Sequence, residues 1–356
     1  MTLHPTDLTQ TLLDFIALPQ ADEAAFNALA LRLFAHQVQH NHAYGRFCRA
    51  RGRTPATVRR WQDIPAVPVN GFKELTLSCV PPEDCERVFT TSGTTREVKG
   101  RHFHPSLQVW NASMRRHFAD SVGPLPVRMG ILFPSEAEMP NSSLAHYLQI
   151  ALQDHGLAGS RQLMHTEGLD SAALLALVQQ AQTDGQPLAL LGATYSFVHL
   201  MDALPEADLR LPAGSWLLDT GGFKGRSREI PMEAFYAQLS NTFGVPRERC
   251  LNMYGMTELS SQFYDAGNAR VPSVKRAPHW MRTRAVDPLT GLSVPDGQPG
   301  ILVHTDLANL NSVTTILTED VGIVTDGGFA LLGRAEGAQA KGCSLAVEDF
   351  VQAASA

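Results

Sequence analysis

The chain has 356 residues, 44% hydrophobic and 18% charged, with 29 basic against 35 acidic side chains and a formal net charge of −6. That length accommodates one large α/β domain with subdomains, or two ordinary domains. An acidic balance without a polybasic run argues against nucleic acid, or an anionic membrane, as a partner held by bulk charge.

The opening MTLHPTDLTQ lacks the basic and apolar regions of a secretory signal. No apolar run reaches the roughly 20 residues that span a bilayer, so a soluble cytoplasmic protein is expected. Residues 6–17 and 22–40 read as two helices, the second with Phe26, Leu29, Leu33 and Phe34 at helical spacing, followed by a basic turn around Gly52 and Pro55. Strands are expected at 88–91, 130–133, 188–191 and 216–218, alternating with helices at 106–122, 143–155, 171–183 and 231–243. Strand and helix taking turns indicate an α/β fold with a largely parallel sheet. Past residue 265 the pattern becomes short β-like runs with turns at 287–291 and 296–300, which predicts a small β-rich subdomain. Cys48, Cys79, Cys85, Cys250 and Cys343 form no CxxC pair, and the 13 histidines lack HExxH spacing. A disulfide framework and a motif-based zinc centre are both unsupported.

TTSGTTREVKGRH, starting at Thr90, places five hydroxyl residues, two glycines and a lysine after an apolar strand. Hydroxyls and free backbone N–H groups donate to phosphate oxygens, glycine admits close approach, and Lys99 adds a compact positive charge. The spacing is not that of a Walker A loop, and an ordinary polar turn has the same composition. The loop resembles the phosphate-loop signature of the adenylate-forming superfamily, which contains acyl-CoA synthetases, firefly luciferases and peptide-synthetase adenylation domains. Thr91, Ser92, Gly93, Thr94, Thr95, Lys99 and Gly100 match it, while Arg96 and Val98 replace the usual glycine and proline. LNMYGMTELSS matches that superfamily's YGxTE motif through Tyr254, Gly255, Met256, Thr257 and Glu258. A carboxylate such as Glu258 can bind a Mg²⁺ that bridges phosphates, Thr257 can donate to the α-phosphate, and Tyr254 can lie against adenine.

Between the two motifs, LLDTGGFKG stands where the superfamily has an adenine-contacting turn, with Gly221, Gly222 and Phe223 as candidates. TEDVGIVTDGGFALLGRAEGAQAKG resembles a further motif pair, which implies that Asp320 holds the ribose hydroxyls and Arg334 sits nearby. The resemblance spans roughly residues 72 to 345. It implies a large domain over 1–332 built of stacked αβ subdomains, with its β-rich part at about 266–332 and a short tail, 333–356, in place of the usual mobile C-terminal domain. GFKEL at 71–75, DTGGFKG and GRAEGAQAKGCSL are similar to the LuxE-type acyl-protein synthetases. That family uses ATP and Mg²⁺ to activate a fatty acid as acyl-AMP, then transfers the acyl group to a cysteine near the C-terminus and onward to an acyl reductase or other acceptor protein. Cys343 is the matching residue. A mobile tail would let it swing into a cleft, and Lys341 would flank it on one side of an extended segment and favour the thiolate.

Apolar residues at 133–144 and in GATYSF (192–197) suit either an acyl pocket or plain core. Two rival readings stay open: a ligase of the phenylacetate–CoA type, with coenzyme A as the thiol, and an inactive nucleotide-binding relative. The sequence also leaves open whether the chain forms a homo-oligomer.

Overall fold

A computed structural model describes residues 5–91, 98–223 and 227–355. The chain opens with α1 (Pro5–Ala17), α2 (Glu23–His40) and α3 (His42–Ala50). Asp22 starts α2 by accepting a hydrogen bond from the Ala25 amide, and Asn41 ends α2 and starts α3, its Oδ1 accepting from Tyr44 N. There follow β1 (Val67–Pro68), α4 (Gly71–Glu74), β2 (Arg87–Thr90), β3 (Arg101–His104) and α5 (Gln108–Ser121). Next come β4 (Arg128–Leu132), α6 (Ser143–His155), β5 (Arg161–Gln162), β6 (Met164–His165), β7 (Gly168–Leu169), α7 (Ser171–Asp184), β8 (Leu188–Ala193), α8 (Thr194–Ala203) and β9 (Trp216–Thr220). The remainder is α9 (Met232–Phe243), β10 (Cys250–Tyr254), β11 (Phe263–Tyr264), β12 (Val274–Lys275), β13 (Met281–Val286), β14 (Pro299–Asp306), β15 (Thr315–Thr325), β16 (Gly328–Arg334) and α10 (Gly337–Ser355).

Two compact units result. The first takes Met1–Arg116, Met256–Ser261 and Arg276–Ala356, the second His117–Gly255 and Gln262–Lys275.

The second unit is built on a sheet of order β11-β10-β9-β8-β4-β5, parallel from β10 to β5, with β11 antiparallel at the edge. Every residue of β8 and β9 is buried, which is why Leu188–Leu191 and Trp216–Leu218 read as continuous apolar runs rather than alternating ones. Leu174, Leu177 and Val178 of α7, Phe197 of α8 and Phe235 and Leu239 of α9 share one core with Leu190 and Leu217 of the sheet.

In the first unit β16, β15, β14 and β13 form an antiparallel meander, and β1 joins β15 in parallel through Val67 and Ile316. The short β-like runs past residue 265 therefore form strands of a sheet. Residues 333–356 do not form a loose tail. The segment completes β16 and then becomes α10, whose buried positions Cys343, Phe350 and Ala354 recur at helical spacing. The Phe350 ring packs edge-on against Phe47 of α3, 4.7 Å between centroids. Burying a phenylalanine contributes roughly 1.5–3 kcal/mol. Gly71 makes the fit possible, since a Cβ there would stand 2.7 Å from the Phe350 ring. Among the described residues no helix is long and apolar enough to cross a membrane.

Candidate nucleotide-binding site

The candidate phosphate loop is closed at its base by the β2–β3 hairpin, in register from Arg87↔His104 to Thr90↔Arg101. Thr91 N donates to Gly100 O (3.0 Å) and Gly100 N donates to Thr91 Oγ1 (2.9 Å), so the two ends of the loop are tied together. Ser92, Gly93, Thr94, Thr95 and Arg96 lie outside the described residues. Lys99 is exposed beside the closure and Gly100 is buried.

Gly100 faces Glu258, and a Cβ on it would stand 3.2 Å from Glu258 Oε1. The two strongest sequence motifs thus meet at one carboxylate. Glu258 is 4% exposed, and burial raises its pKa to about 7; its own backbone amide and the charges of Lys73 and Arg334 pull the other way, while Asp320 adds to the rise. Lys73, in α4, is a neighbour that the motif reading missed. It lies in GFKEL, a stretch singled out for resemblance and not for charge, and only the fold shows that its ammonium acts on Glu258.

Asp320 and Arg334 are register partners on β15 and β16, and Arg334 Nη1 donates to Asp320 Oδ1 at 3.3 Å. The same guanidinium donates to Glu319 Oε2 at 2.6 Å. Thr257, half-buried, completes the group. Thr91, Gly100, Thr257, Glu258, Asp320 and Arg334 all belong to the first unit.

Cys343 stands near enough to Glu319 and Arg334 to feel both charges. It is buried among Val286, Ile301, Val303 and Val321, and this burial raises the thiol's pKa, with Glu319 adding to the rise and Arg334 opposing it. The pairing expected with Lys341 does not form. Residues two apart on a helix point to nearly opposite sides, and Lys341 is exposed on α10. Cys48 and Cys250 are buried and Cys79 and Cys85 half-buried, with burial raising the pKa of each thiol.

The remaining candidates belong to the second unit. Gly221 follows β9 with φ of +77°, a conformation that disfavours any residue with a Cβ, and Gly222 is half-buried. Phe223 is partly buried against the core, its ring 6.0 Å from Phe235. Tyr254 ends β10 half-buried with its ring 5.7 Å from Phe263, and Gly255 is exposed.

The turn after β9 is anchored from beneath by Asp219, which sequence reading passed over. Asp219 accepts from Thr194 Oγ1 (2.7 Å), Tyr236 OH (2.8 Å) and Asn252 Nδ2 (3.0 Å). Thr220 Oγ1 donates to Met253 O at 2.9 Å, tying the turn to β10. Of the suggested acyl-pocket stretches, Phe133 is buried, Leu144 is half-buried, and Phe197 belongs to the common core.

Among the described residues no group of three or more His, Cys, Asp or Glu could hold a metal ion. An ion at Glu258 would therefore be shared with phosphate oxygens and water rather than caged by protein, the usual arrangement for nucleotide-bound Mg²⁺.

The sequence is 22% identical over 304 residues to the long-chain-fatty-acid–luciferin-component ligase of Vibrio harveyi, covering 82% of this chain and 77% of that protein. It is likewise 22% identical over 344 residues to the ligase of that name from Aliivibrio fischeri, covering 91% and 88%. A solved 2-hydroxyisobutyryl-CoA ligase in the postadenylation state superimposes with a TM-score of 0.65 at 16% identity, covering 88% of this chain and 67% of that one. The luciferase-like enzyme of the mealworm Zophobas morio gives 0.51 at 15% identity, covering 72% and 59%. The fold is that of the adenylate-forming enzymes. The family described as acyl-protein synthetase, LuxE, matches residues 14–351, and the chain belongs to that family of ligases.

Proposed function

We propose that this chain activates a long-chain fatty acid with ATP and then passes the acyl group to a thiol. A carboxylate is a poor acyl donor, because its leaving group would be oxide. In the first step the acid's oxygen attacks the α-phosphorus and pyrophosphate departs, which leaves the acyl group on AMP. In the second a thiolate attacks the acyl carbon and AMP departs. The observation that carries this reading is the buried carboxylate of Glu258 facing the tied base of the 91–100 loop across Gly100. The two curated relatives, named as fatty-acid ligases, supply the substrate class.

Each residue then has a task. The 91–100 loop, from Thr91 through Ser92, Gly93, Thr94 and Thr95 to Lys99, takes the β- and γ-phosphates. Thr257 takes the α-phosphate, Asp320 the ribose with Arg334 beside it, and Gly221, Gly222, Phe223, Tyr254 and Gly255 the adenine side. Glu258 would hold Mg²⁺, whose charge would offset that of the phosphates, and a side chain at Gly100 would crowd its Oε1. Cys343 is the acyl acceptor, and an acyl reductase or another acceptor protein is the onward partner. In the docked helix burial opposes thiolate formation, so transfer requires α10 to free Cys343 from Val286, Ile301, Val303 and Val321. That same burial favours a second reading, in which a free thiol such as coenzyme A is the acceptor.

One experiment separates them. With ATP, Mg²⁺ and radiolabelled fatty acid the protein should exchange pyrophosphate into ATP and carry one label per chain, released by neutral hydroxylamine as a thioester is. Cys343→Ser should abolish the label while exchange continues, since adenylation precedes any need for the thiol. Acyl-CoA formed freely by a chain that never labels itself would establish the second reading instead.

A further inference from the structure

His102 lies on β3, two residues past the loop base, and is 1% exposed. Its Nδ1 is 2.9 Å from Thr257 O and its Nε2 is 3.0 Å from Ser312 Oγ. A carbonyl oxygen only accepts, so Nδ1 carries the hydrogen. Nε2 of the neutral ring then accepts, and the Ser312 hydroxyl donates. Burial lowers the pKa of this imidazole to about 4, which keeps the tautomer neutral through the physiological range.

The next carbonyl along the chain is held as well. Asn309 Nδ2 donates to Glu258 O at 2.9 Å and to Val313 O at 3.2 Å, and Asn309 is 1% exposed. Two consecutive peptide oxygens of YGMTE are thus each met by a buried side-chain donor. Two amides downstream are fixed too: Leu259 N donates to Met256 O (3.1 Å) and Ser260 N to Asp306 Oδ2 (2.9 Å).

We propose that His102 is a positioning residue for adenylation: by donating to Thr257 O from the strand that closes the phosphate loop, it sets the Thr257–Glu258 backbone relative to Gly100. The role rests on the reading of Thr257 and Glu258 as nucleotide-binding residues. Its chemistry is that of an outer partner that aims an inner ligand without touching substrate. Few other side chains could serve. The position needs a short, flat donor on one side and an acceptor on the other, in a space where a charged group would be costly. A cavity of about 150 Å³ borders His102, Ser260 and Asn311. A smaller side chain at 102 would therefore enlarge existing space rather than seal a new void.

His102→Asn keeps an N–H donor at the Nδ1 position, whereas His102→Gln reaches toward the Nε2 position and removes the donor to Thr257. Pyrophosphate exchange should keep its kcat within about threefold in His102→Asn. In His102→Gln kcat should fall at least about tenfold, with the KM for the fatty acid unchanged and the Mg²⁺ needed for half-maximal rate raised severalfold. Hydrogen–deuterium exchange over 255–261 gives a readout independent of activity. The Leu259 and Ser260 amides should open faster in His102→Gln and as in the wild type in His102→Asn. Equal protection in wild type and His102→Gln would overturn the role. So would two variants that lose activity and protection alike in step with lowered melting temperatures. A wild type without exchange activity that still shows this protection pattern would sink the adenylation reading and leave the anchoring of Thr257 standing.

Discussion

Asp219 and Glu258 are both buried carboxylates whose ionisation is opposed by burial, to about 6 for the first and about 7 for the second. Their surroundings differ in kind. Asp219 is met by three side-chain donors, from Thr194, Tyr236 and Asn252, and Lys275 adds a favourable charge. Glu258 has its own backbone amide, the charges of Lys73 and Arg334, and the side-chain-free Gly100 against Oε1. A carboxylate saturated by protein donors has little capacity left for a ligand, and its energy goes into holding the backbone. One that is desolvated without such donors is a costly arrangement that a cation or a polar ligand would complete.

Glu258→Gln is the strongest way to break that contrast. Pyrophosphate exchange should fall by at least about a hundredfold, the scale of losing a key electrostatic contact. The melting temperature should hold or rise, because a neutral amide costs less to bury. Full exchange activity in this variant would remove Glu258 from the site.

Gly100→Ala comes next. Its Cβ would stand 3.2 Å from Glu258 Oε1 and 3.1 Å from Thr91 Cγ2, so both must yield by a few tenths of an ångström. Exchange should fall about tenfold, since small misplacements at a reacting centre are expensive. An alanine enzyme as fast as the wild type would show that the space beside Oε1 is not used.

Asp219→Asn should cost least in rate, a few-fold at most, and appear mainly as lost stability of about 1–3 kcal/mol, because an amide donor now faces the donors of its neighbours. Its pH dependence sharpens the point. The folded carboxyl titrates near 6 against an ordinary 3.8, so between those values the folded state binds the extra proton and stability falls as pH rises. The asparagine variant cannot titrate, so its deficit relative to the wild type should shrink from about pH 4 to pH 6 in melting curves. A deficit that widened over this range would mean that the carboxylate is the stabilising form.

The parallel sheet was legible because β8 and β9 are buried on both faces and so write themselves as LALLGA and WLLDT. Motif spacing singled out Glu258 and Asp320 as candidates, and the fold brings them close enough for the charge of Asp320 to act on Glu258. Asp219, His102 and Asn309 were not singled out, since one Asp, His or Asn in a chain carries no sign of which carbonyl or hydroxyl it will meet. Asn309 and Glu258 are 51 residues apart, and only the fold pairs them. The C-terminal segment, expected as a mobile, extended tail, is the helix α10, in which Cys343, Phe350 and Ala354 are buried at helical intervals. Gly342 has a packing role there, since a Cβ on it would stand 2.8 Å from Pro288 O.

The division of the chain into units also bears on the order in which it folds during synthesis. The second unit has all its main strands once Tyr264 has been made, whereas the first is interrupted at Arg116 and resumes for good only at Arg276. As the polypeptide leaves the ribosome from its N-terminus, β1 must wait for its partner β15, and α3 and α4 for α10, which packs against them. All the strands of the parallel sheet are therefore made before the helix that carries Cys343.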